Sequence, residues 1–389
     1  MPAPSPFRVI TTDRTSQARL GELITPHGTI PTPIFMPVGT QGTVKGIPSH
    51  DLLQLNTPII LANTYHLLIR PGKSIIEHFG GLHTFMQWPR PILTDSGGYQ
   101  VFSLARLRKI SCDGVHFQSH VNGAPFFLGP REALEMQRAI GSDIAMVLDV
   151  CPPWDAPPIQ MREAVMLTLS WAQQARQIWP QLLQKENIEP QSLPRPLLFG
   201  IVQGGSNPTL RAHCAQSLVE KDFDSYAIGG VSVGEPQEEM YRAVELTIPH
   251  LPPDKARYTM GLGHPHQIVE LVARGVDMFD CVLPTRMARH GTAYTSCGPI
   301  NLKRSVHALS HDPIDPSCAC AVCMRYSRGY VHHLFRAGEM LAQYLTTYHN
   351  LAFYLELTRK IRETLAQGTF SAFREAFTKT YSVPNEREP

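Results

Sequence analysis

Three aspartates follow candidate strands, a position from which carboxylates can act as acid, base or nucleophile. Asp280 follows an apolar strand, Asp95 opens the run DSGGYQ, and Asp149 follows the apolar run Ile144–Leu148. A carboxylate that attacks an anomeric carbon forms a covalent glycosyl intermediate, and a second carboxylate can move protons on the departing and arriving groups. These residues predict two-acid substitution at a sugar carbon, as in retaining glycosidases. DSGG also suits an ordinary turn, and an arginine or a backbone cap would satisfy Asp149 equally well.

The residues near these acids suit a planar purine ligand. Gln203, in the run VQGG, can donate and accept hydrogen bonds, as the reading of a purine edge requires. Gly230 and Val231, in the run GGVS, can expose backbone groups to the same ligand. The ring of Tyr99 can stack on a base, and Met260 suits either a soft lid over a ring or a place in the core.

The distribution of cysteines predicts a metal site. Five of the eight cysteines are isolated, and the other three fall within six residues: Cys318, Cys320 and Cys323. Such crowding in a cytosolic chain is more typical of metal binding than of disulfides. Zinc suits three thiolates, and a histidine would complete a closed, structural site. His349 would clip a following helix onto the loop, while His332 and His333 are nearer in sequence. Three unconnected free thiols are the alternative.

Eight β-rich runs alternate with helical patterns, which predicts an α/β fold of the TIM (β/α)8 barrel type. The predicted strands are Pro33–Val38, Pro58–Ala62, Pro91–Thr94, Asp143–Leu148, Leu197–Val202, Tyr226–Ile228, Arg257–Met260 and Val276–Phe279. The helical patterns between them are Pro130–Ile140, Met161–Trp179, Thr209–Lys221, Glu238–Thr247 and His266–Arg274. In a barrel the strand ends converge on one rim. In an open doubly wound sheet, the main alternative, strands at opposite edges would keep Asp95 and Asp280 apart.

The periodic pattern breaks after the last predicted strand. Residues 284–323 are rich in Pro, Gly, Ser and His, Arg325–Tyr348 has a helical pattern, and Leu351–Tyr381 continues as amphipathic helix. A small zinc-binding subdomain inserted in the final βα connection explains this order. The predicted division is a barrel in residues 1–299, the zinc-binding insertion and its helix in residues 300–349, and a helical return to the barrel in residues 350–389.

The net charge of +2 is too small to predict a nucleic-acid partner by itself. Residues 284–336, however, hold seven Lys or Arg against two Asp, a net +5 with five histidines, and the rest of the chain carries −3. This clustering suits phosphate contacts, although a solvated basic face would look the same. No apolar run reaches the roughly 18 residues of a membrane span, and the start MPAPSPFRVITTDR lacks the order of a secretory signal. We therefore expect a cytoplasmic protein.

Six motifs together resemble one enzyme family. DSGGYQVFSL, FGIVQGG, AIGGVSVGEP, YTMGLGHP, FDCVLPTRMARHG and the array CACAVC with TTYHN occur in this order. From about Arg8 to Tyr381 the chain resembles the bacterial queuine tRNA-ribosyltransferases, also called tRNA-guanine transglycosylases. The resemblance implies a TIM barrel with an inserted zinc subdomain, usually in a homodimer. It also implies a pentosyltransferase of queuosine biosynthesis that exchanges guanine at wobble position 34 of tRNAs with GUN anticodons, those for tyrosine, histidine, asparagine and aspartate.

The resemblance implies a role for each matching residue. Asp280 would be the nucleophile of a ping-pong reaction in which guanine leaves and a 7-deazaguanine enters, and Asp95 would be the general acid and base. The purine would be read by Asp149, Gln203, Gly230 and the Val231 backbone, and sandwiched by Tyr99 and Met260. The tRNA-binding stretch would include Thr285, Arg286 and Arg289. One structural Zn²⁺ would be bound by Cys318, Cys320, Cys323 and His349.

Two positions depart from the bacterial pattern where the 7-substituent of the incoming base would be judged. Val150 replaces a frequent acid, and Val231 replaces a usual leucine. Cys151 and Val233 follow the pattern and favour the precursor 7-aminomethyl-7-deazaguanine over complete queuine. A queuine-preferring salvage enzyme is one alternative. A non-catalytic tRNA-binding subunit is another, although such a subunit would be expected to lack the nucleophile or the base-reading residues.

Overall fold

A computed structural model describes residues 5–104 and 108–381 of the chain. Its strands, in chain order, are β1 (Phe7–Thr12), β2 (Arg19–Thr25), β3 (Gly28–Thr32), β4 (Ile34–Pro37), β5 (Ile60–Asn63), β6 (Ile92–Asp95), β7 (Arg108–Ile110), β8 (Val115–Gln118), β9 (Pro125–Leu128), β10 (Ile144–Met146), β11 (Leu197–Val202), β12 (Ser225–Ile228), β13 (Arg257–Thr259), β14 (Met278–Cys281), β15 (Thr292–Thr295) and β16 (Gly298–Asn301). Its α-helices are α1 (Ser49–Gln54), α2 (Thr64–Ile69), α3 (Lys73–His78), α4 (Leu82–Met86), α5 (Gly98–Leu104), α6 (Pro130–Ile140), α7 (Pro158–Lys185), α8 (Pro208–Val219), α9 (Gln237–Thr247), α10 (Pro265–Ala273), α11 (Leu283–His290), α12 (Arg328–Ala337), α13 (Met340–Gln367) and α14 (Phe370–Thr380).

Eight parallel strands form a barrel, in the order β4-β14-β13-β12-β11-β10-β6-β5. A parallel bridge between Val38 and Leu61 joins the end of β4 to β5 and closes the ring. The ends of these strands differ from the predicted ones by at most two residues. The predicted TIM barrel is therefore confirmed, and the open sheet is excluded.

The barrel strands are buried because helices cover the outer face and side chains fill the inside. All six residues of β11, with the sequence LLFGIV, are buried. Four of the surrounding helices begin with proline, a residue whose fixed φ suits the first helical turn, where its missing N–H costs nothing. Asn207 also caps α8, since its side chain accepts a hydrogen bond from the N–H of Leu210 at 3.0 Å.

Three small antiparallel elements were not predicted from the sequence. The sheet β1-β2-β3 packs at the N-terminal end of the barrel, where Phe7, Leu23 and Ile30 join the core around Ile144. The sheet β7-β8-β9 lies between α5 and α6, and β15 pairs with β16 after α11. Each of these elements is short, so its alternation of apolar and polar residues is brief.

The predicted single helix Arg325–Tyr348 is wrong. Gly338 ends α12 in the left-handed region, at φ 75°, and α13 begins two residues later and continues to Gln367. Glycine favours this end because it has no Cβ to clash in that conformation. The helix α13 runs through the predicted division at 349/350, so His349 shares a helix with the return to the barrel. Residues 1–4, 105–107 and 382–389 of the predicted domains lie outside the described residues.

The helix α13 completes the outer layer of the barrel. The ring of Tyr354 lies 4.6 Å from that of Phe35 in β4, and Leu357, Ile361 and Leu365 pack in the same cluster. The subdomain that contains β15, β16 and α12 is therefore an insertion before the last barrel helix. Among the described residues, no helix combines the length and the apolar character needed to cross a bilayer.

Candidate active site

The carboxyl ends of the barrel strands bring the predicted acids to one rim. Asp95 is the last residue of β6, and Asp280 lies near the end of β14. Asp149 follows β10 by three residues, and Gln203 directly follows β11. The charges of Asp149 and Asp280 both raise the pKa of Asp95, which requires the three carboxylates to lie close together.

The carboxylate of Asp280 is held through one of its two oxygens. Its Oδ1 accepts a hydrogen bond from the hydroxyl of Tyr258 at 2.6 Å and another from the N–H of Gly261 at 2.8 Å. Within the described residues its Oδ2 accepts no hydrogen bond. Burial raises the pKa of Asp280, and the two donors lower it. The side chain is therefore oriented with one oxygen free for chemistry.

Asp95 is a buried carboxyl whose proton affinity is raised. Its Oδ2 accepts a hydrogen bond at 2.7 Å from the side-chain amide of Asn63, which also caps α2 by accepting from the N–H of His66. Burial, and then the charges of Asp149 and Asp280, raise the pKa of Asp95 to about 7. A carboxyl with a pKa near neutrality can both donate and accept a proton under physiological conditions.

Asp149 and Gln203 form a buried pair beside Asp95. The Gln203 Nε2 donates to Asp149 Oδ2 at 2.6 Å, and burial raises the pKa of Asp149 to about 6. The Gln203 Oε1 is buried and has no hydrogen-bond partner among the described residues. An unsatisfied buried acceptor costs free energy unless a ligand supplies the donor. This oxygen therefore indicates a hydrogen-bonding ligand.

Two glycines leave room beside this pair. A Cβ on Gly98 would lie 2.6 Å from Asp149 Oδ1, and a Cβ on Gly230 would lie 2.5 Å from Gln203 Oε1. Gly230 also has a positive φ of 62°. Only glycine fits so close to these polar atoms.

The cysteine cluster meets one histidine on the inserted subdomain. The ligand atoms of Cys318, Cys320, Cys323 and His349 all lie within 4.8 Å of one another. The Cys323 Sγ lies 3.3 Å from His349 Nδ1, and the opposite ring nitrogen, Nε2, donates to the carbonyl of Tyr294 at 2.7 Å. That bond keeps the proton on Nε2 and leaves the Nδ1 lone pair facing the thiols. Three thiols and one imidazole suit tetrahedral zinc.

The other two histidines considered from the sequence lie elsewhere. His332 is buried and its Nδ1 bonds the carbonyl of Leu302, while His333 is exposed. Neither belongs to the cluster of possible metal ligands. The Cys3His group could therefore hold a metal ion with His349 as its fourth ligand.

Comparison with known proteins decides the family. The family model for queuine tRNA-ribosyltransferase matches residues 13–383. The chain belongs to the queuine tRNA-ribosyltransferase family. Proteins named queuine tRNA-ribosyltransferase are 50% identical over 380 residues in Thermoanaerobacter pseudethanolicus and 48% identical over 383 residues in Lysinibacillus sphaericus, each alignment covering 98% of both chains. One from Enterococcus faecalis is 47% identical over 375 residues, 96% of both chains. The family resemblance identified from the motifs is confirmed.

Other residues that the family resemblance singles out lie on the same rim. Tyr99 is in the first turn of α5 and is half-exposed, and Met260 directly follows β13 and is partly buried. Val231 is buried in the cluster of Ile228 and Leu262. These positions leave the ring of Tyr99 available to a ligand.

The predicted tRNA-binding residues lie in the helix α11, directly after Asp280. Arg286 is exposed, whereas Arg289 is partly buried and donates to the carbonyl of Thr285 at 2.9 Å. Thr285 is itself buried, and its hydroxyl donates to the carbonyl of Val282. Arg286 therefore has the more accessible charge of the two arginines.

The Cys3His group is linked to α11 through Asn350, the residue after His349. The Asn350 Nδ2 donates to the carbonyls of Pro284 and Thr292 at 3.0 Å each, and its Oδ1 accepts from the N–H of Tyr294. Asn350 therefore fixes the start of α11 and the strand β15 relative to α13. Sequence reasoning missed this residue, although it stands in the motif TTYHN.

Sequence reasoning also missed the residues that orient the acids. Tyr258 and Asn63 contact Asp280 and Asp95, and Glu235 accepts hydrogen bonds from the N–H groups of Ser232 and Val233 in the turn after β12. Their one signal in the sequence is a position in a barrel strand or in the loop that follows it, which many other residues share.

Proposed function

We propose that the protein exchanges guanine at wobble position 34 of GUN-anticodon tRNAs for 7-aminomethyl-7-deazaguanine, as a step of queuosine biosynthesis. The observation that carries the proposal is the rim where the charges of Asp149 and Asp280 act on the buried Asp95, next to an unsatisfied Gln203 oxygen. Membership of the queuine tRNA-ribosyltransferase family supports the substrate. The tRNAs for tyrosine, histidine, asparagine and aspartate carry such anticodons, and we expect the protein to meet them in the cytoplasm.

Base recognition begins with Asp149. An ionised carboxylate accepts from the N1–H and the exocyclic amine of guanine, a pair of donors that adenine lacks. Gln203, Gly230 and the Val231 backbone supply further hydrogen bonds around the ring. Tyr99 and Met260 enclose its two faces, an arrangement that aromatic and thioether groups favour.

Asp280 acts as the nucleophile. Its free Oδ2 attacks C1′ of nucleotide 34, a C1′–O bond forms, and the C1′–N9 bond breaks with its electron pair moving to guanine. Tyr258 and Gly261 hold Oδ1 and so aim the other oxygen. In the second half of the reaction the N9 of the incoming base attacks C1′ and Asp280 leaves as a carboxylate. Two inversions retain the β configuration.

Asp95 moves the proton between the two bases. The protonated carboxyl donates to the departing guanine, and the carboxylate then accepts the N9 proton of the incoming base. Because the pKa of Asp95 is about 7, neither proton transfer is opposed by a large difference in proton affinity between Asp95 and the base. Protons balance over one exchange, and no soluble cofactor is consumed.

The tRNA backbone is bound by the basic segment that follows the nucleophile. Arg286 and Arg289 lie in α11, six and nine residues after Asp280 in the chain, and Thr285 supports their turn of helix. A phosphate contact by the exposed Arg286 would be weakened by salt. This contact holds the anticodon over the rim.

The Cys3His group would bind one Zn²⁺ as a structural ion. With four protein ligands the ion has no open position and would supply stability rather than Lewis-acid chemistry. The ion would act on function indirectly, because His349 would bind it and the neighbouring Asn350 holds the start of α11. We propose a division into a barrel, a zinc-binding insertion and a helical return, in which α13 belongs to both the insertion and the return.

The pocket wall favours the small precursor base. Val150 packs in an apolar cluster with Ala164 and Trp171. This position therefore contributes an uncharged side chain to the core, where many bacterial relatives have an acid. Cys151 is buried and burial raises its thiol pKa to about 12, which leaves a neutral side chain beside Asp149. A queuine-preferring enzyme is the alternative. Mass spectrometry of nucleoside 34, after incubation with equal concentrations of both bases, tests the choice: we expect the aminomethyl product, and predominance of queuosine would favour the alternative.

Guanine exchange should be fastest between about pH 6 and about pH 7. Since the pKa of Asp95 is raised to about 7, its acid form is lost as pH rises through that value and kcat falls. Since the pKa of Asp149 is raised to about 6, its carboxylate is lost as pH falls through that value and KM for guanine rises. Steady-state kinetics across pH measures both limbs. Asp95→Asn should remove the alkaline limb, whereas flat kcat and KM profiles for the wild-type protein would contradict these roles.

We propose a homodimer formed through the inserted subdomain. Large apolar side chains of this segment are exposed to solvent: Val306, Leu309, Met324, Tyr330 and Met340. The ring of Tyr330 also stacks on that of Tyr326 at 5.5 Å, which pre-organises an aromatic surface for a second copy. Light scattering should give twice the chain mass of 43.4 kDa. Tyr330→Asp should give the monomer mass, and Ile159→Asp, at an exposed isoleucine on α7, should not. A monomeric wild-type protein would refute the dimer.

A non-catalytic tRNA-binding subunit is the main competing function. Such a subunit has no need for a buried carboxyl, Asp95, whose pKa is raised by the charges of two neighbouring carboxylates, Asp149 and Asp280. The retained nucleophile, acid and base-reading side chains favour the enzyme.

A further inference from the structure

Arg211 is a fully buried cation whose hydrogen-bond partners are backbone carbonyls. Its Nε donates to the carbonyl of Gly205 at 2.6 Å, one Nη to that of Val202 at 3.0 Å, and the other Nη to that of Gly230 at 3.4 Å. Among the described residues no carboxylate forms a direct ion pair with it, although the more distant charge of Glu235 raises its pKa and so favours the cation. Burial lowers the pKa of Arg211 only to about 10, so the side chain stays charged at neutral pH.

The three carbonyls surround the base-reading residues. Val202 and Gly205 lie on either side of Gln203, and Gly230 follows the next strand of the barrel, β12. The same helix, α8, makes a second contact with this segment, because Cys214 Sγ accepts from the N–H of Gln203 at 3.3 Å. The helix therefore fixes the loop after β11 at three points.

The contact with Gly230 also sets the direction of a peptide group. In a trans peptide the C=O and the following N–H point in opposite directions. Because the Gly230 carbonyl faces the guanidinium, the N–H of Val231 points away from it. A Cβ on Gly230 would lie 2.5 Å from the unpartnered Gln203 Oε1, so this peptide and that oxygen are neighbours.

A buried cation whose direct partners are carbonyls and not a carboxylate is costly, so its retention calls for an explanation. A guanidinium presents donors in a rigid planar fork, which can hold carbonyls from two separate strand ends in fixed directions. An ammonium is a point charge and lacks this fork. The location of the three acceptors, around Gln203 and at Gly230, indicates that the purpose is the alignment of these two segments.

We infer that Arg211 is a positioning residue for base recognition, which aligns the loop after β11 with the Gly230–Val231 peptide so that both read one purine. The inference rests on the proposed function. Loss of the fork should impair binding of the base while leaving the tRNA surface, which is built on α11, intact.

The test compares Arg211→Met and Arg211→Lys with the wild-type protein in exchange of labelled guanine. For Arg211→Met we expect the KM for guanine to rise about tenfold or more, with a smaller change in kcat, since the carbonyls of Gly205 and Gly230 lose their guanidinium donor and that of Val202 loses one of two donors. The tRNA affinity from filter binding should stay within about twofold. Arg211→Lys should recover part of the loss, because it restores one donor group.

Arg19→Met is the matched control. Arg19 is also buried, but it pairs with Asp277 at 2.6 Å and bonds the Pro253 carbonyl near the opposite end of the barrel. We expect this control to lower the melting temperature without changing the KM for guanine.

The outcomes separate the inference from the proposed function. A wild-type protein without exchange activity would refute the proposed function itself. Activity in the wild type, with an unchanged KM for guanine in a folded Arg211→Met protein, would overturn the inference. If Arg211→Met does not fold, an unchanged KM in Arg211→Lys overturns it. Equal rises in KM for guanine and for tRNA would also overturn it.

Discussion

Replacement of Asp280 by Asn should abolish both guanine exchange and the covalent complex with tRNA. The amide keeps the shape of the side chain and can still accept from Tyr258 and Gly261. It lacks the nucleophilic oxygen, so no bond to C1′ forms. We expect kcat to fall by at least about 10⁴-fold, because loss of the nucleophile of a serine protease reduces kcat by about 10⁶-fold. The measurement is labelled-guanine incorporation, together with a denaturing gel that detects the protein–tRNA adduct.

Asp277→Asn provides the control for this variant. Asp277 directly precedes β14, which contains Asp280, and is also buried, but it pairs with Arg19 near the other end of the barrel. We expect Asp277→Asn to melt at a lower temperature while it still forms the adduct. An adduct in Asp280→Asn at the wild-type level would mean that another group attacks the ribose.

Replacement of Cys320 by Ser should abolish binding of the proposed zinc ion and uncouple the inserted subdomain from α11. Metal affinity falls because a hydroxyl is a poor ligand for zinc beside thiolates, and the free energy of metal binding is part of the free energy of folding. His349 would then lose the proposed ion as its partner. The contacts of the neighbouring Asn350 with Pro284 and Thr292 should weaken as a result. We expect loss of the bound zinc in elemental analysis, a separate low-temperature unfolding transition, and weaker tRNA binding.

Cys297→Ser is the matched control for the metal site. Cys297 lies in the turn between β15 and β16 of the same subdomain, is exposed, and does not belong to the cluster. Its variant should keep the zinc and the wild-type unfolding curve. Full zinc content in Cys320→Ser would contradict the assigned ligand set.

The barrel could be predicted because its strands are short buried runs separated by longer amphipathic helices. Proline and glycine marked many of the boundaries, so the predicted strand ends fall within two residues of the observed ones. The helix pattern after Arg325 was misread because the periodicity continues across Gly338, and one glycine inside a helical pattern does not decide between a kink and an end. The sheets β1-β2-β3 and β7-β8-β9 were missed because strands of three to seven residues leave little alternation to detect.

The candidate acids and the candidate metal ligands could be proposed from the sequence for different reasons. Asp95, Asp149 and Asp280 lie near strand ends, and three cysteines within six residues are rare without a metal. The residues that orient them carry no such signal. Arg211 reads as an ordinary surface arginine in an amphipathic helix, and only the fold reveals that it is buried against three carbonyls. Asn63 and Tyr258 likewise gain their importance from contacts between neighbouring strands.

The most direct test of the proposed exchange uses labelled guanine and an unmodified tRNA with a GUN anticodon. The zinc-loaded protein should introduce label into the tRNA at position 34. It should leave unlabelled a tRNA whose wobble guanine is replaced by adenine, because the hydrogen bonds proposed for Asp149 need the N1–H and amine donors of guanine, which adenine lacks. A folded, zinc-loaded protein that binds this tRNA and leaves it unlabelled would contradict the enzyme and favour a tRNA-binding subunit.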